Sequence, residues 1–558
     1  MSLLADDLEL QPYTDEPDLP LAMASPTTLT TPLPRLKWLD GARTSRKWFS
    51  ERFTDRLRTL LRPRFTWRYI LCSTIGLYIV WCFVRGQPLL SSRLPAYSGR
   101  YEVGTLDLEI PLETPVRISD TLLKSSGEPA FEVETVLFTL YYPALRGSRS
   151  DKPKHLWAPR PLSLTAEGYA RIARVNNFLI RPVFTFALWL IVGSIEIPAQ
   201  VDVPLHHGGG GGEKLPVMVF SHGMASSRTD YTHYLGEMAS RGHVVAAVEH
   251  RDGSSPGSLV CVAGKQDRRV VLFQESDLVS DPPMDTPRIK REQLAFRDAE
   301  ILETIRVLRA IHDGRGHNVS ALSSRGEGRD TLHRWTGRLD FDRLTIGGHS
   351  YGATGALQAL RSRAGGGRGG KLQLQPGNGG DQSISPAAVA AAALAVGGII
   401  LDPGKESGPL NAEIDVPILV VHSNTWSRAR SLFFGRPHFD TVKELVRGTL
   451  DRVGASWFVT SIGTSHPSVT DAPLLQPLLL SWTTGATVDV KEGLKEYVRI
   501  AMDFHNFLHK GNATGVLAEK ATHDEYGEWV SEERKEEFPK SVAKFWEIHV
   551  SPEDSVED

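Results

Sequence analysis

The stretch Gly348-His349-Ser350-Tyr351-Gly352 restricts what this chain can fold into more than any other part of it. It follows the apolar run Leu344–Ile346, which reads as a strand, and a helical pattern begins near Ala353. A serine set between glycines, where a strand passes into a helix, is the pattern of a nucleophile elbow: a strained turn that lifts the hydroxyl out of the fold. Gly348 and Gly352 suit that turn because a side chain at either would strike the neighbouring strand and helix. The bare G-x-S-x-G string also occurs in ordinary glycine-rich turns, so the weight lies in the flanking elements.

Those flanks belong to a wider pattern. Short, fully apolar runs at Val217–Phe220, Val244–Val248, Leu344–Ile346, Ile399–Leu401 and Ile418–Val421 are separated by helical stretches. Leu294, Ile301, Ile305 and Leu308 recur at helical spacing between two of them. Apolar strands alternating with helices predict a mostly parallel sheet covered on both faces, the α/β class. Upstream, Leu106, Leu108 and Ile110 alternate with Asp107 and Glu109 as in a half-buried strand, and residues 131–142 form a second.

A serine hydroxyl attacks well only when a histidine takes its proton and an acid orients that histidine. In an elbow of this kind the partners follow in the order Ser, acid, His. Asp402 comes directly after the strand ending at Leu401. The position after the next strand offers His422-Ser423-Asn424-Thr425-Trp426, with no acid before Asp440. Asp402 is therefore the expected acid. His466, in Gly463-Thr464-Ser465-His466-Pro467 after the run Trp457–Val459, is the expected base. His422 comes too early, and His505 and His509 lie on a helical pattern that predicts surface positions. The oxyanion needs two preorganised donors. The Tyr351 amide, next to the nucleophile, supplies one. Met224, in Ser221-His222-Gly223-Met224 after the strand Val217–Phe220, suits the other.

A second constraint lies near the N-terminus. Tyr69–Val84 carries no charge and, extended to Phe65, reaches about 30 Å as a helix, the thickness of a bilayer core. A buried helix of the globular part is the alternative. Arg52, Arg56, Arg58, Arg62, Arg64 and Arg68 precede the run; Arg85, Arg93 and Arg100 follow it. That bias predicts a single-pass protein with a cytosolic N-terminus and a lumenal or extracellular catalytic domain. The sequons at Asn318 and Asn512 agree with this side.

The resulting plan has a disordered stretch over 1–64, rich in Pro, Thr and charge, and a signal-anchor helix over 65–85. A catalytic domain follows over 95–545, then an acidic, solvated tail over 546–558. Glycine-rich insertions over 206–212 and 363–386 lack the strand-to-helix context of phosphate loops. Pro182–Ile195 has no charge and includes Phe184, Phe186, Trp189 and Leu190. It reads as a buried core helix, a re-entrant one or an interfacial one. A formal net charge of -3 over 558 residues gives nucleic acid no electrostatic handle. Three cysteines, two of them inside the apolar run, exclude a disulfide framework or a cysteine metal site.

Taken together, Val219-Phe220-Ser221-His222-Gly223, Arg228-Thr229, Val245 to Asp252, the elbow, Leu401-Asp402 and the His466 loop resemble the plasma-type platelet-activating factor acetylhydrolases over roughly residues 95–510. The resemblance implies an α/β-hydrolase fold and calcium-independent hydrolysis of the sn-2 ester of glycerophospholipids with short or oxidised acyl chains. It implies Ser350, Asp402 and His466 as triad, Met224 and Tyr351 as oxyanion donors, and no metal or organic cofactor. It also implies a lipid-surface contact through Phe178–Ile195. His222, Trp426, Phe433 and Phe434 are expected to line the substrate pocket, with core packing an equal reading for the aromatic residues. Ala225 departs from the family, which usually has glycine there. The rival readings are an esterase or lipase of the same fold acting on neutral lipids, and a catalytically silent, membrane-anchored lipid-binding protein. Phospholipid and membrane are thus the expected partners, and the sequence leaves the oligomeric state open.

Overall fold

The computed structural model describes residues 66–207, 213–360, 395–428, 432–433, 435–477 and 483–555. The expected disordered segment 1–64, the glycines of the 206–212 insertion, the 363–386 insertion and Phe434 lie outside the described residues, as does the side chain of Phe433. The chain forms two units, Met1–Tyr78 and Ile79–Asp558.

Among the described residues the second unit is built on one ten-stranded sheet. Its strands are β1 (Val103–Arg117), β2 (Glu132–Pro143), β3 (Gln200–Val201), β4 (Leu215–Ser221), β5 (Val244–Glu249), β6 (Leu339–His349), β7 (Gly397–Leu401), β8 (Ile418–Ser423), β9 (Trp457–Ser461) and β10 (Trp546–Val550). They lie side by side in the order β10-β9-β8-β7-β6-β4-β5-β2-β1-β3. From β5 across to β9 every neighbouring pair is parallel, while β2 and β10 run antiparallel to their inner neighbours. The helices used below are α1 (Trp67–Arg85), α2 (Ile180–Val192), α3 (Thr286–Ala310), α4 (Tyr351–Ala359), α5 (His438–Val453) and α6 (Val490–Lys510).

The apolar runs read as central strands because both their faces are covered. Along β5, Val244, Ala246 and Val248 enter one core with Ile301 and Ile305 of α3, Ala353 of α4 and Val442 of α5. Val245 and Ala247 enter the opposite core with Leu494, Val498 and Phe504 of α6. Side chains alternate across a strand, so a strand buried on both sides must be apolar at successive positions. A mostly parallel sheet with helices on both faces and a strand–serine–helix turn at its centre is the α/β-hydrolase fold.

Four expectations are corrected. Asp107 and Glu109 are not on a solvent face: Asp107 is largely covered and Glu109 fully buried, and they pair with Arg228 at 2.7 Å and Arg251 at 2.8 Å. Charge alternation in β1 thus marks a buried ion-pair layer. The stretch from Trp546 is not wholly a solvated tail, since Trp546, Ile548 and Val550 bury against the sheet as β10 and the polar run begins only beyond it. His505 is buried, with its ring 4.4 Å from that of His243. The Pro182–Ile195 segment is no core helix: in α2 only Val192 is buried.

Helix α1 has 19 residues and one internal charge at its start, Arg68. At roughly 1.5 Å per residue it is about 28 Å long, enough to cross a hydrocarbon core. Trp67, Leu77, Phe83 and Val84 are exposed, as lipid-facing side chains would be.

Candidate active site

Ser350 sits between β6 and α4 with φ 57° and ψ −122°. This left-handed conformation is costly for a residue with a Cβ, and it turns the hydroxyl away from the sheet. The turn is fixed by the Ser350 amide, which donates to Leu401 O at 2.9 Å. Its glycines are sterically required: a Cβ on Gly348 would lie 2.2 Å from Gly352 O, and one on Gly352 would lie 2.1 Å from Ser221 O.

The structure brings Ser350, His466 and Asp402 together from the ends of three strands. His466 Nε2 lies 3.0 Å from Ser350 Oγ, and His466 Nδ1 lies 2.8 Å from Asp402 Oδ2. Asp402 is buried, and its carboxylate accepts from the Ser423 amide at 2.6 Å and the Ser423 hydroxyl at 2.7 Å. Parallel β7 and β8 end side by side, so the acid on one strand is aimed by the backbone of the next. Strand β9 then delivers the His466 loop from the same sheet edge. His349, the elbow residue before the serine, is buried with its ring 4.5 Å from that of His466. Burial, and then the neighbouring His466, holds its pKa well below the usual imidazole value. Its Nδ1 lies 2.8 Å from Tyr231 Oη.

The two expected oxyanion donors stand on backbone that is held from several sides. Tyr351 opens α4, so its amide has no acceptor within the helix. The other loop follows β4, and a Cβ on Gly223 would lie 3.2 Å from Ser350 Cβ, which places this loop against the nucleophile. Gly223 N donates to Tyr231 Oη at 3.1 Å, and Ala225 N donates to Ser254 O at 2.9 Å. Met224 lies between these two anchored amides.

His222, expected in the substrate pocket, is instead fully buried in the support of this loop. Its Nε2 accepts from His250 N at 3.1 Å, which leaves Nδ1 to carry the proton and donate to Gly223 O at 2.8 Å. That carbonyl belongs to the same trans peptide as the Met224 amide, so holding one fixes the direction of the other. Trp426 is half-buried and stacks on His466 rather than standing apart from it. Phe433 lies in a two-residue strand, and its side chain and Phe434 are outside the described residues.

Chemically, the arrangement offers a nucleophile, a base within proton reach and a buried acid that orients the base. His349, Asp402 and His466 also place ligand-capable atoms within 4.8 Å of one another. The Asp402 and His466 atoms are already joined by a hydrogen bond, and Nε2 of His466 faces Ser350, a pattern suited to proton transfer. Sequence reading missed Tyr231 and Ser423, neither of which left a periodic signal.

Away from the triad, α2 and the turn before it expose Phe178, Leu179, Val183, Phe186 and Trp189 together. Of the residues expected at a lipid surface, Phe186 and Trp189 are exposed and stacked, with centroids 5.8 Å apart, while Phe184 and Leu190 are half-buried.

Residues 89–365 match the family model described as platelet-activating factor acetylhydrolase, isoform II, a range that contains the expected oxyanion loop and the elbow but ends before Asp402. The chain is 27% identical over 311 residues to the platelet-activating factor acetylhydrolase of Cavia porcellus, covering 54% of this chain and 61% of that one. Identity to the protein of the same name from Canis lupus familiaris is 28% over 276 residues, 48% of this chain and 52% of the relative. A putative phospholipase A2 of Schizosaccharomyces pombe is 29% identical over 272 residues, 47% and 57% of the two chains. The matches thus span 52% to 61% of these relatives' own length. Among solved structures, a ferulic acid esterase from Streptomyces cinnamoneus aligns with a TM-score of 0.46 and 18% identity, over 77% of this chain and 96% of that one. Over residues 89–365, which hold the Ser350 turn and the loop after β4, this chain is similar to the platelet-activating factor acetylhydrolase, isoform II, family.

Proposed function

We propose that this protein is a calcium-independent serine esterase that cleaves the sn-2 acyl ester of glycerophospholipids carrying short or oxidised chains. The observation that carries the reading is the hydrogen-bonded line from Ser350 Oγ through His466 to Asp402, at 3.0 Å and 2.8 Å. The family match supports a lipid ester as substrate, and the relatives' names supply the acetylated class.

In the proposed reaction Ser350 Oγ attacks the ester carbonyl while its proton passes to His466 Nε2. Asp402 stabilises the imidazolium that forms, and the Met224 and Tyr351 amides receive the oxyanion. The tetrahedral intermediate collapses, the C–O bond to the lysophospholipid breaks, and His466 returns the proton to that leaving oxygen. Water then repeats the cycle on the Ser350 ester, releasing the fatty acid. The exposed face of α2 would seat the enzyme on the lipid surface, and α1 would anchor it, with the catalytic unit on the lumenal or extracellular side as the arginine bias implies.

The test is acetate release from a 2-acetyl glycerophosphocholine in excess EDTA, by wild type and Ser350→Ala. Activity that survives chelation and falls by about 10³-fold or more in the variant supports the reading. Cleavage of p-nitrophenyl acetate or a triacylglycerol but not the phospholipid would keep the mechanism and overturn the substrate. No turnover of any ester would leave a lipid-binding protein.

A further inference from the structure

Arg297 is fully buried at the middle of α3, on the stripe that faces the sheet. A guanidinium taken out of water is costly unless its donors are satisfied. Here they are, and every partner leads to the oxyanion loop or the elbow. Nε donates to Asp252 Oδ2 at 2.8 Å and Nη2 to Ser254 Oγ at 2.7 Å. Ser254 in turn donates to Asp252 Oδ1 from its amide and hydroxyl, and its own carbonyl receives the Ala225 amide. Nη1 donates to His222 O at 2.6 Å, one peptide before the one that carries the Met224 N–H. Finally, the guanidinium carbon lies 4.5 Å from the centroid of the Tyr351 ring, while Tyr351 Oη donates to Gln293 Oε1 at 3.0 Å and Gln293 Nε2 donates to Asp252 O at 3.2 Å.

We propose that Arg297 is a positioning residue that sets the spacing between the two oxyanion donors, holding the Met224 loop through His222 O and Ser254 and the Tyr351 residue through its ring. The proposal rests on the serine-esterase reading above. The two amides belong to separate elements, the loop after β4 and the start of α4, and this side chain touches both. It makes no contact with the triad side chains among the bonds described. Its loss therefore separates the two donors without disturbing the proton path from Ser350 to His466. An ordinary buried ion pair would stabilise the fold and leave the chemistry of the folded enzyme alone.

The experiment compares full-length wild type, Arg297→Lys and Ser254→Ala on the short-chain ester that wild type turns over. Melting temperature is followed in parallel, with an alkyl trifluoromethyl ketone as the oxyanion-forming inhibitor. Lysine keeps the charge but can neither form the fork nor lie flat on Tyr351. The expected result for Arg297→Lys is a fall in kcat of about 100-fold, with KM within about twofold and inhibitor affinity weakened by the same factor as kcat/KM, as for loss of one oxyanion donor. The pH profile should keep its wild-type midpoints, because the His466–Asp402 pair is untouched. Ser254→Ala should show the same pattern at about tenfold, and it decides the matter if Arg297→Lys does not fold. Folded variants with wild-type kcat, or a kcat loss without a matching loss of inhibitor affinity, overturn the proposal. A wild type that cleaves no ester overturns the esterase reading instead, so the two failures are distinct.

Discussion

The indole of Trp426 lies flat against the imidazole of His466, with ring centroids 3.9 Å apart and planes 11° from parallel. His349 approaches the same imidazole at 4.5 Å, so two rings contact it. Trp426 is itself pinned: its Nε1 donates to Pro403 O at 3.1 Å, and Lys405 Nζ stands 4.5 Å from its ring and donates to its carbonyl. The loop after Asp402 thus holds the ring that stacks on His466.

Trp426→Ala should lower kcat about tenfold with little change in KM, since a stacked pair of this kind contributes about 0.5–1.5 kcal/mol. Trp426→Phe should recover most of the loss. Steady-state kinetics on a soluble ester, with a thermal melt to verify folding, measure both.

Asp402→Asn should retain the two Ser423 contacts in outline yet lose kcat by roughly 10³–10⁴-fold. A carboxamide nitrogen turned toward His466 Nδ1 cannot accept its proton, and the imidazole is left in the wrong tautomer. Single-turnover acylation followed by stopped flow would locate the loss in the chemical step.

Much of this site is legible in the sequence. Ser350, Asp402 and His466 each follow an apolar strand, and a parallel sheet gathers such strand ends at one edge, so chain order alone brought them together on paper. The supports were not legible. Tyr231 and Ser423 each act through two hydrogen bonds, to partners on other loops or on an adjacent strand, and no periodicity announces that. Asp107 and Glu109 alternate as solvent-facing residues would, and only their partners Arg228 and Arg251, far along the chain, reveal that this face is buried. β10 was hidden by its neighbours: five residues with an apolar alternation beside an acidic run read as part of that run.

Ala225 adopts φ 57°, a conformation that costs a residue with a Cβ about 1–2 kcal/mol and costs glycine nothing. Ala225→Gly should therefore stabilise the protein by up to about 1 kcal/mol after the added freedom of the unfolded chain is subtracted. Denaturant unfolding at constant m-value measures it, and a loss of stability would contradict the argument.

The exposed α2 face predicts a separation of binding from chemistry. Phe186→Ser with Trp189→Ser should weaken sedimentation with phosphatidylcholine vesicles by about tenfold or more, because each aromatic side chain forfeits roughly 1.5–3 kcal/mol of burial. Hydrolysis of p-nitrophenyl acetate in solution should stay within twofold of wild type. A chain without α1 is the suitable background, since a membrane-inserted α1 would mask the effect.

His243 is buried beside His505, and desolvation, followed by the charge of Arg343, pushes its pKa down to about 4. A folded pKa below the unfolded value of about 6.5 means that its contribution to stability is complete above that pH and is lost as pH falls toward 4. His243→Phe should flatten the decline in melting temperature between pH 6.5 and 4.5, whatever it does to the value at pH 7.5. An unchanged slope would exclude His243 as a contributor.

The position of β10 also sets a timetable. The His466 loop leaves β9, whose outer neighbour is β10, and Ile462 N donates to the carbonyl of Phe545 just before that strand. Translation at about 5–20 residues per second separates the emergence of Ser350 from that of Trp546 by roughly 10–40 s. During that interval the nascent chain can hold the Ser350 turn and the loop after β4 while the His466 loop still lacks its outer brace. The Ser350 turn and the His466 loop therefore mature in sequence, and their hydrogen bond is braced on its outer side only after the last strand has docked.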